Sequence, residues 1–246
     1  MAEGPGSVLA ADGIRVRFGA LPVLDQVSFG VAAGEAVGIV GPNGAGKTTL
    51  LNVLSGSLRP QAGVVRFRGA DVTRAGAARR CRLGIGRSHQ VPRPFGNMTV
   101  FENVLVGATA GAGRRGTAAY DLCLDVLQQC ELAELANRRA ESLGLLHRKR
   151  LEMARALATD PAVLLFDEIG SGLTDAEAEE LVDTINGVLR RGVALVWIEH
   201  IVHVLVQVVG RLVCMDAGRV IADGDPEAVM GDAAVIDAYL GKGRHQ

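Results

Sequence analysis

The chain has 246 residues, 48% of them hydrophobic, enough to bury a substantial core in one α/β domain with a subdomain. With 26 Lys and Arg against 27 Asp and Glu, the formal charge of −1 gives no overall electrostatic footprint for nucleic acid. Cys81, Cys123, Cys130 and Cys214 lack C-x-x-C spacing, which excludes a disulfide or zinc framework and reads as reduced, mostly buried thiols of a cytosolic protein.

Glu3 and its glycine-rich neighbours are not a basic stretch followed by a long apolar run, so no secretory signal is expected. Ile14-Arg15-Val16-Arg17, Val27-Ser28-Phe29 and Val64-Val65-Arg66-Phe67 alternate as half-buried antiparallel strands of a small β-subdomain. Met98 to Gly107 and Ala118 to Leu135 are helical in pattern, the second with Tyr120, Cys123, Val126, Leu127 and Cys130 on one face. Thr109 to Gly116, between them, reads as a flexible surface loop. Val163 to Phe166 is a buried-strand run, and Thr174-x-x-Glu177 is a capping box opening a helix that turns Leu181, Val182, Ile185, Val188 and Leu189 inward. Val193 to Trp197 is another buried strand, and Leu212 to Met215 with Val220-Ile221 form a hairpin around Asp216 to Gly218. Asp225-Pro226 starts a further helix, and the tail from Gly241 is expected to fray. The apolar stretch from Val193 to Met215 approaches the length of a membrane span. Glu199, His200, His203, Gln207 and Arg211 interrupt it, so two strands flanking a helix are expected instead.

Between the apolar run Ala36 to Val40 and the helical stripe Leu50, Leu51, Val53, Leu54 stands Gly41-Pro42-Asn43-Gly44-Ala45-Gly46-Lys47-Thr48-Thr49. This is a complete G-x-x-x-x-G-K-[ST] loop in the strand–loop–helix setting the motif demands. Its glycines let backbone N–H groups curl around a phosphate, and the helix adds its positive end. Lys47 would reach the β- and γ-phosphates, and the Thr48 hydroxyl would bind Mg²⁺. Lys47, Lys149 and Lys242 are the only lysines, so a point charge at this position is informative. The loop implies nucleoside triphosphate binding.

Leu164-Leu165-Phe166-Asp167-Glu168 puts two carboxylates at the end of a buried strand. In a doubly wound sheet, ligands sit at the carboxyl ends of strands, so both would face the glycine loop. Asp167 suits the surroundings of Mg²⁺, and Glu168 suits polarising the water that attacks the γ-phosphate. A strand ending in solvated acids is the alternative.

With these residues the chain resembles the ATP-binding subunits of ABC transporters over nearly its whole length. The resemblance implies a P-loop NTPase of α/β class, a RecA-like core with an antiparallel β-subdomain and a helical subdomain. The expected division is 1–90 (β-subdomain and P-loop core), 91–155 (helical subdomain), 156–225 (core) and 226–246 (C-terminal helices and tail). It implies that Phe18 stacks on adenine, that Gln90 senses Mg²⁺ and contacts a permease, and that His200 is a switch histidine touching the γ-phosphate. Gly86-Arg87-Ser88-His89-Gln90, Met98 to Asn103, Arg148 to Arg155 and the ending Asp237-Ala238-Tyr239-Leu240-Gly241 are similar to one subgroup. Its members power uptake of branched-chain amino acids, urea and short amides.

The resemblance breaks at the signature segment, usually LSGGQ or a relative such as LTLGQ. Here the matching residues are Leu143-Gly144-Leu145-Leu146-His147. Gly144 replaces serine and removes a hydroxyl donor, while Leu146 adds a side chain where a backbone N–H meets phosphate. A local register shift that still supplies donors stays open. Ile169 stands where proline is usual, and Thr174 at the aspartate of the D-loop. In the family each ATP lies between one subunit's P-loop and the other's signature. The expectation is therefore half of an unequal pair, a heterodimer rather than a homodimer, held at the cytoplasmic face of the membrane by two permeases. An extracytoplasmic solute-binding protein would be an indirect partner, and nucleic acid none. Two other readings stay open: a nucleotide-gated assembly module with little hydrolysis, and a lipid-export ATPase.

Overall fold

The computed structural model describes residues 6–88 and 91–240; the readings for Gln90 and for the tail 241–246 fall outside them. The antiparallel partners β1 (Ser7–Phe18) and β2 (Leu21–Ala32) open the chain, followed by β3 (Ala36–Val40), the glycine loop and α1 (Lys47–Ser55). The strands β4 (Ala62–Phe67) and β5 (Ala70–Asp71) extend the first sheet, in the order β2-β1-β4-β5. Next come α2 (Ala77–Leu83) and β6 (Ile85–Arg87), then the helices α3 (Val100–Val106), α4 (Thr117–Gln129) and α5 (Leu145–Leu157). The chain returns through β7 (Val163–Asp167), α6 (Asp175–Leu189), β8 (Ala194–Ile198) and α7 (Val202–Leu205). It closes with β9 (Arg211–Asp216), β10 (Arg219–Gly224), α8 (Pro226–Met230) and α9 (Ala233–Leu240). Among the described residues, no helix is long and apolar enough to cross a membrane.

The second sheet, β10-β9-β3-β8-β7-β6, is parallel except at its β9–β10 hairpin. Its two-residue period splits the core into two layers. Leu164, Phe166, Leu195 and Trp197 face the helical side, where α4, α5 and α6 bury Cys123, Leu127, Met153 and Leu181. Val163, Leu165, Val196 and Ile198 face Leu50, Leu51 and Leu54 of α1 and the first sheet. The strand runs read as buried therefore lie between two cores, and their continuous hydrophobicity follows from that position.

Several helix boundaries follow from local chemistry. Thr174 accepts from the Glu177 amide while the Glu177 carboxylate accepts from the Thr174 amide, and Thr99 with Glu102 repeats the arrangement at α3. Asp225 caps α8 through the amides of Glu227 and Ala228, with Pro226 at the first turn.

Two readings need correction. Tyr120 is half exposed rather than buried with Cys123, and it stacks on Phe101 at 5.6 Å between ring centroids. Part of the expected loop 109–116 is helical, because α3 continues as a π-turn over Gly107–Gly111. Its glycines serve close packing: a Cβ on Gly107 would lie 2.6 Å from the Arg155 carbonyl oxygen.

Arg80 was not singled out in the sequence, yet it is fully buried. Its guanidinium donates to the carbonyls of Val53 at 2.6 Å, Leu54 at 2.8 Å, Ala75 at 2.9 Å, Val72 at 3.1 Å and Thr73 at 3.2 Å. Two of these are carbonyls of the last turn of α1; that of Val53 also accepts from the Gly56 amide at 3.2 Å, and Arg80 adds a second donor there. Burial lowers its pKa to about 10, still leaving it charged at neutral pH. Arg80→Met would strand several buried acceptors, each worth about 1–3 kcal/mol, so a loss of roughly 3 kcal/mol or more is expected. Arg80→Lys should not restore it, since an ammonium lacks the planar fan of donors. The urea midpoint measures both; an unchanged midpoint in Arg80→Met would remove this role.

Candidate functional site

The three parallel strands β3, β8 and β7 end side by side, with Ile39 opposite Ile198 and Ile198 opposite Asp167. The segments that follow them therefore share one space. After β3 the chain turns sharply at Gly41, whose φ of 142° and proximity to Met215 exclude a side chain: a Cβ would lie 2.0 Å from the Met215 carbonyl oxygen. The loop closes through a hydrogen bond from the Ala45 amide to the Pro42 carbonyl at 3.1 Å and is fastened to the β9–β10 turn by the Gly218 amide on the Ala45 carbonyl at 3.0 Å. Asn43, Gly44, Gly46 and Thr49 line the small cleft it encloses, and Glu168, just past the end of β7 and one strand removed from β3, lines it too.

Lys47, 6% exposed, folds its ammonium back across the loop onto the carbonyls of Gly41 at 2.6 Å and Pro42 at 3.1 Å. Thr48 donates its hydroxyl to Asp167 Oδ1 at 3.4 Å. Asp167 is buried, which raises its carboxyl pKa; the Arg87 guanidinium, 3.3 Å away, acts in the opposite direction. Arg87 is itself held by Asn52 Oδ1 at 2.6 Å and Ser55 Oγ at 2.8 Å, both on α1. The pair Thr48 and Asp167 offers hard oxygen donors at the cleft. Among the described residues there is no cluster of three or more His, Cys, Asp or Glu for a metal. That donor set fits a small divalent cation whose remaining ligands come from phosphate and water.

Glu168 carries a φ of 49°, unusual for a residue with a side chain, and its amide donates to the Ile198 carbonyl at 2.8 Å. Its carboxylate lies 2.5 Å from His200 Nε2, and the imidazole is 46% exposed. Behind them Glu199 is buried, accepting from the Gly170 amide at 2.6 Å and the His200 amide at 3.1 Å. Burial raises its carboxyl pKa, against those two amides. Lys149 of α5 is buried too; desolvation lowers its pKa, opposed by Glu199, Glu168 and Glu152. Phe18 is 55% exposed at the end of β1, where its ring faces solvent.

The structure thus brings together the glycine loop, Asp167, Glu168 and His200. Arg87, Lys149 and Glu199 form a layer beneath them to which sequence reading gave no role. Arg87 and Lys149 stand in segments similar to the transport subgroup, but nothing local in the sequence pairs them, or Glu199, with the cleft's carboxylates and histidine.

The segment 143–147 forms the start of α5, with Gly144 at its N-cap and no capping side chain. Space around Gly144 is open, with nothing within 4 Å of a built Cβ. The expectation that Leu146 crowds this terminus is corrected: its side chain is buried in the helical-side core, and Leu145 is the exposed one. Ile169 is fully buried.

A glycine loop opening a helix, with carboxylates on the adjoining parallel strand ends, defines a P-loop nucleoside triphosphatase. Residues 24–171 match the family described as "ABC transporter", and residues 219–245 match "Branched-chain amino acid ATP-binding cassette transporter". The chain belongs to the ABC transporter ATP-binding family and is an ABC-type ATPase. It is 34% identical over 251 residues to the high-affinity branched-chain amino acid transport ATP-binding protein LivG of Salmonella typhimurium, covering 96% of this chain and 98% of that one. It is 32% identical over 250 residues to BraF of Pseudomonas aeruginosa, named for the same transport, again covering 96% and 98%. A crystal structure of the ADP conformation of an ATP-binding cassette of an ABC transporter superposes with a TM-score of 0.86 at 30% identity, covering 96% of this chain and 99% of that one. A nucleotide-free cassette gives 0.85 at 29% identity, covering 95% and 98%.

Because any side chain at position 41 collides with the Met215 carbonyl, Gly41→Ala must displace the loop. Affinity for an ATP analogue, read by calorimetry, should fall at least about tenfold, equivalent to roughly 1.4 kcal/mol. Retained affinity would mean that the loop tolerates displacement from Met215.

Proposed function

We propose that this chain is the ATP-hydrolysing subunit of an importer for branched-chain amino acids, working as one half of an unequal ATPase pair. The observation that carries the mechanism is the Glu168–His200 pair standing at the mouth of the glycine loop. In this reading Phe18 stacks on adenine, and the amides of residues 41–49 receive the phosphates. Lys47 exchanges the carbonyls of Gly41 and Pro42 for β- and γ-phosphate oxygens. Thr48 and Asp167, with Gln90 by resemblance, hold Mg²⁺, which neutralises phosphate charge when bound. Glu168 accepts a hydrogen bond from the attacking water. The water oxygen bonds to the γ-phosphorus, its proton passing to the Glu168 carboxylate, as the bond to the bridging oxygen breaks, giving ADP and phosphate. His200 both orients the Glu168 carboxylate and reaches the γ-phosphate.

The amino-acid assignment rests on LivG and BraF and on the C-terminal match at residues 219–245. Peripheral attachment to the cytoplasmic face follows from docking on two permeases, with a solute-binding protein acting through them. A groove of about 470 Å³ between α1, α2, α3 and α5, lined by Arg82, Arg87, Val106 and Arg155, suits such docking.

The unequal pair rests on Gly144, which has no hydroxyl for a partner's γ-phosphate. The same residue favours the rival in which the chain binds ATP and scarcely hydrolyses it. Glu168→Gln should cut turnover in the assembled complex at least about a hundredfold, to a small residual rate, while leaving ATP binding intact; turnover near the native rate would remove Glu168 from the role of base. Gly144→Ser adds its hydroxyl into open space and should raise hydrolysis by the chain alone several-fold, because a homodimer repairs both sites at once. If that variant gains nothing, the signature is not what limits the homodimer.

A further inference from the structure

We infer that Lys149 is a positioning residue for Glu168: its ammonium fixes the Glu168 carbonyl, and through the backbone the aim of the carboxylate. The assignment rests on Glu168 acting as the base. Lys149 is 3% exposed, and its Nζ donates to the Glu168 carbonyl at 3.4 Å. The same oxygen accepts from the Ser171 amide at 3.2 Å, while the Glu168 amide donates to the Ile198 carbonyl at 2.8 Å. Glu168 occupies the left-handed region at φ 49°. A residue with a Cβ stays there only where its surroundings over-determine it. These three bonds clamp the peptide units on both sides of Glu168, and Lys149 provides the only one of them that comes from a side chain.

The surroundings keep that ammonium in place. Glu199, Glu168 and Glu152 are the carboxylates acting on it, and Glu152 is itself braced by Arg155 at 2.9 Å. Glu199 spans the two neighbouring segments by holding the amides of Gly170 and His200. The helix carrying Lys149 also begins with residues 144–147, and Leu145 packs toward Gly172, 3.4 Å from where a Cβ would stand. One helix therefore presents the segment proposed to meet the partner's nucleotide and supplies the cation that aims this chain's own base. Displacement of α5 on closure of the pair would reach Glu168 through Lys149.

The test is ATP hydrolysis by the assembled transport complex carrying Lys149→Met, which keeps the bulk and removes the donor, or Lys149→Gln, which keeps a donor. For the Met variant we expect kcat to fall about tenfold or more with KM for ATP changed less than twofold, and for the Gln variant recovery to within about threefold of the native rate. In a Glu168→Gln background, Lys149→Met should lower residual hydrolysis no further, since its effect passes through the missing carboxylate. Equal losses in Met and Gln variants that track equal falls in Tm would mark a purely structural lysine and overturn the proposal. A further, additive loss in the Glu168→Gln background would overturn it as well. If the Met variant does not fold, a folded Gln variant within threefold of native supports the proposal and one tenfold slower overturns it. Full turnover by Glu168→Gln alone would instead overturn the reading of Glu168 as base, whatever Lys149 does.

Discussion

The parallel register of β3, β8 and β7 is the constraint from which the site follows. Parallel strands release their chains at the same edge of a sheet, so loops distant in sequence are forced into one volume. Ile39, Ile198 and Asp167 stand in one row, and the Glu168 amide adds one more rung by bonding Ile198 beyond the end of β7. That extra rung holds Glu168 against the sheet in a backbone conformation it would not otherwise choose. A one-residue slip between β7 and β8 would turn Asp167 from the cleft and exchange the inward-facing sets of Phe166 and Leu165. What resists the slip is shape: Phe166 and Trp197 fill one layer and the smaller Leu165 and Val196 the other, so exchanging the sets would overpack one layer and leave cavities in the other.

Beneath the cleft lies a second tier of charge: Arg87 under Asp167, Lys149 under Glu168 and Glu199 under His200. Buried ionic groups add little net stability, because desolvation consumes most of the Coulomb attraction. Their value here is directional. Arg87 ties Asp167 to Asn52 and Ser55 of α1, so the helix that follows the glycine loop and the strand that carries the carboxylate keep a fixed spacing. Glu199 ties the turn after Glu168 to the start of the His200 segment.

The glycine loop and Asp167-Glu168 were legible because their signals are local: a motif of nine residues in one case, a buried run ending in acids in the other. The capping box at Thr174 and Glu177 is equally local, and its observed hydrogen bonds match the sequence spacing; the equivalent box at Thr99 and Glu102 was not read. The second tier was not legible, since Arg87 meets Asp167 across 80 positions and Glu199 meets Gly170 across 29. Arg80 escaped for the same reason, its acceptors on α1 lying 26 and 27 positions away. Residues 109–111 were misread because glycine signals flexibility and close packing alike; only the position of Arg155 and Thr159 separates the two meanings at Gly107 and Gly111, while 112–116 form the expected loop. Leu146 was misread because a substituted signature position was treated as exposed, whereas the helical period turns it into the core.

That last point changes what the altered segment implies for the proposed pair. With Leu146 inward and Gly144 open, the first turn of α5 still presents uncapped amides and the positive end of a thirteen-residue helix. What is missing is one hydroxyl donor to a charged oxygen, an interaction worth about 1.5–3 kcal/mol, or roughly ten- to a hundredfold in affinity. A deficit of that size weakens closure over one nucleotide without erasing it. Two such deficits in a homodimer would multiply, which is the physical reason for preferring a partner whose own signature is intact.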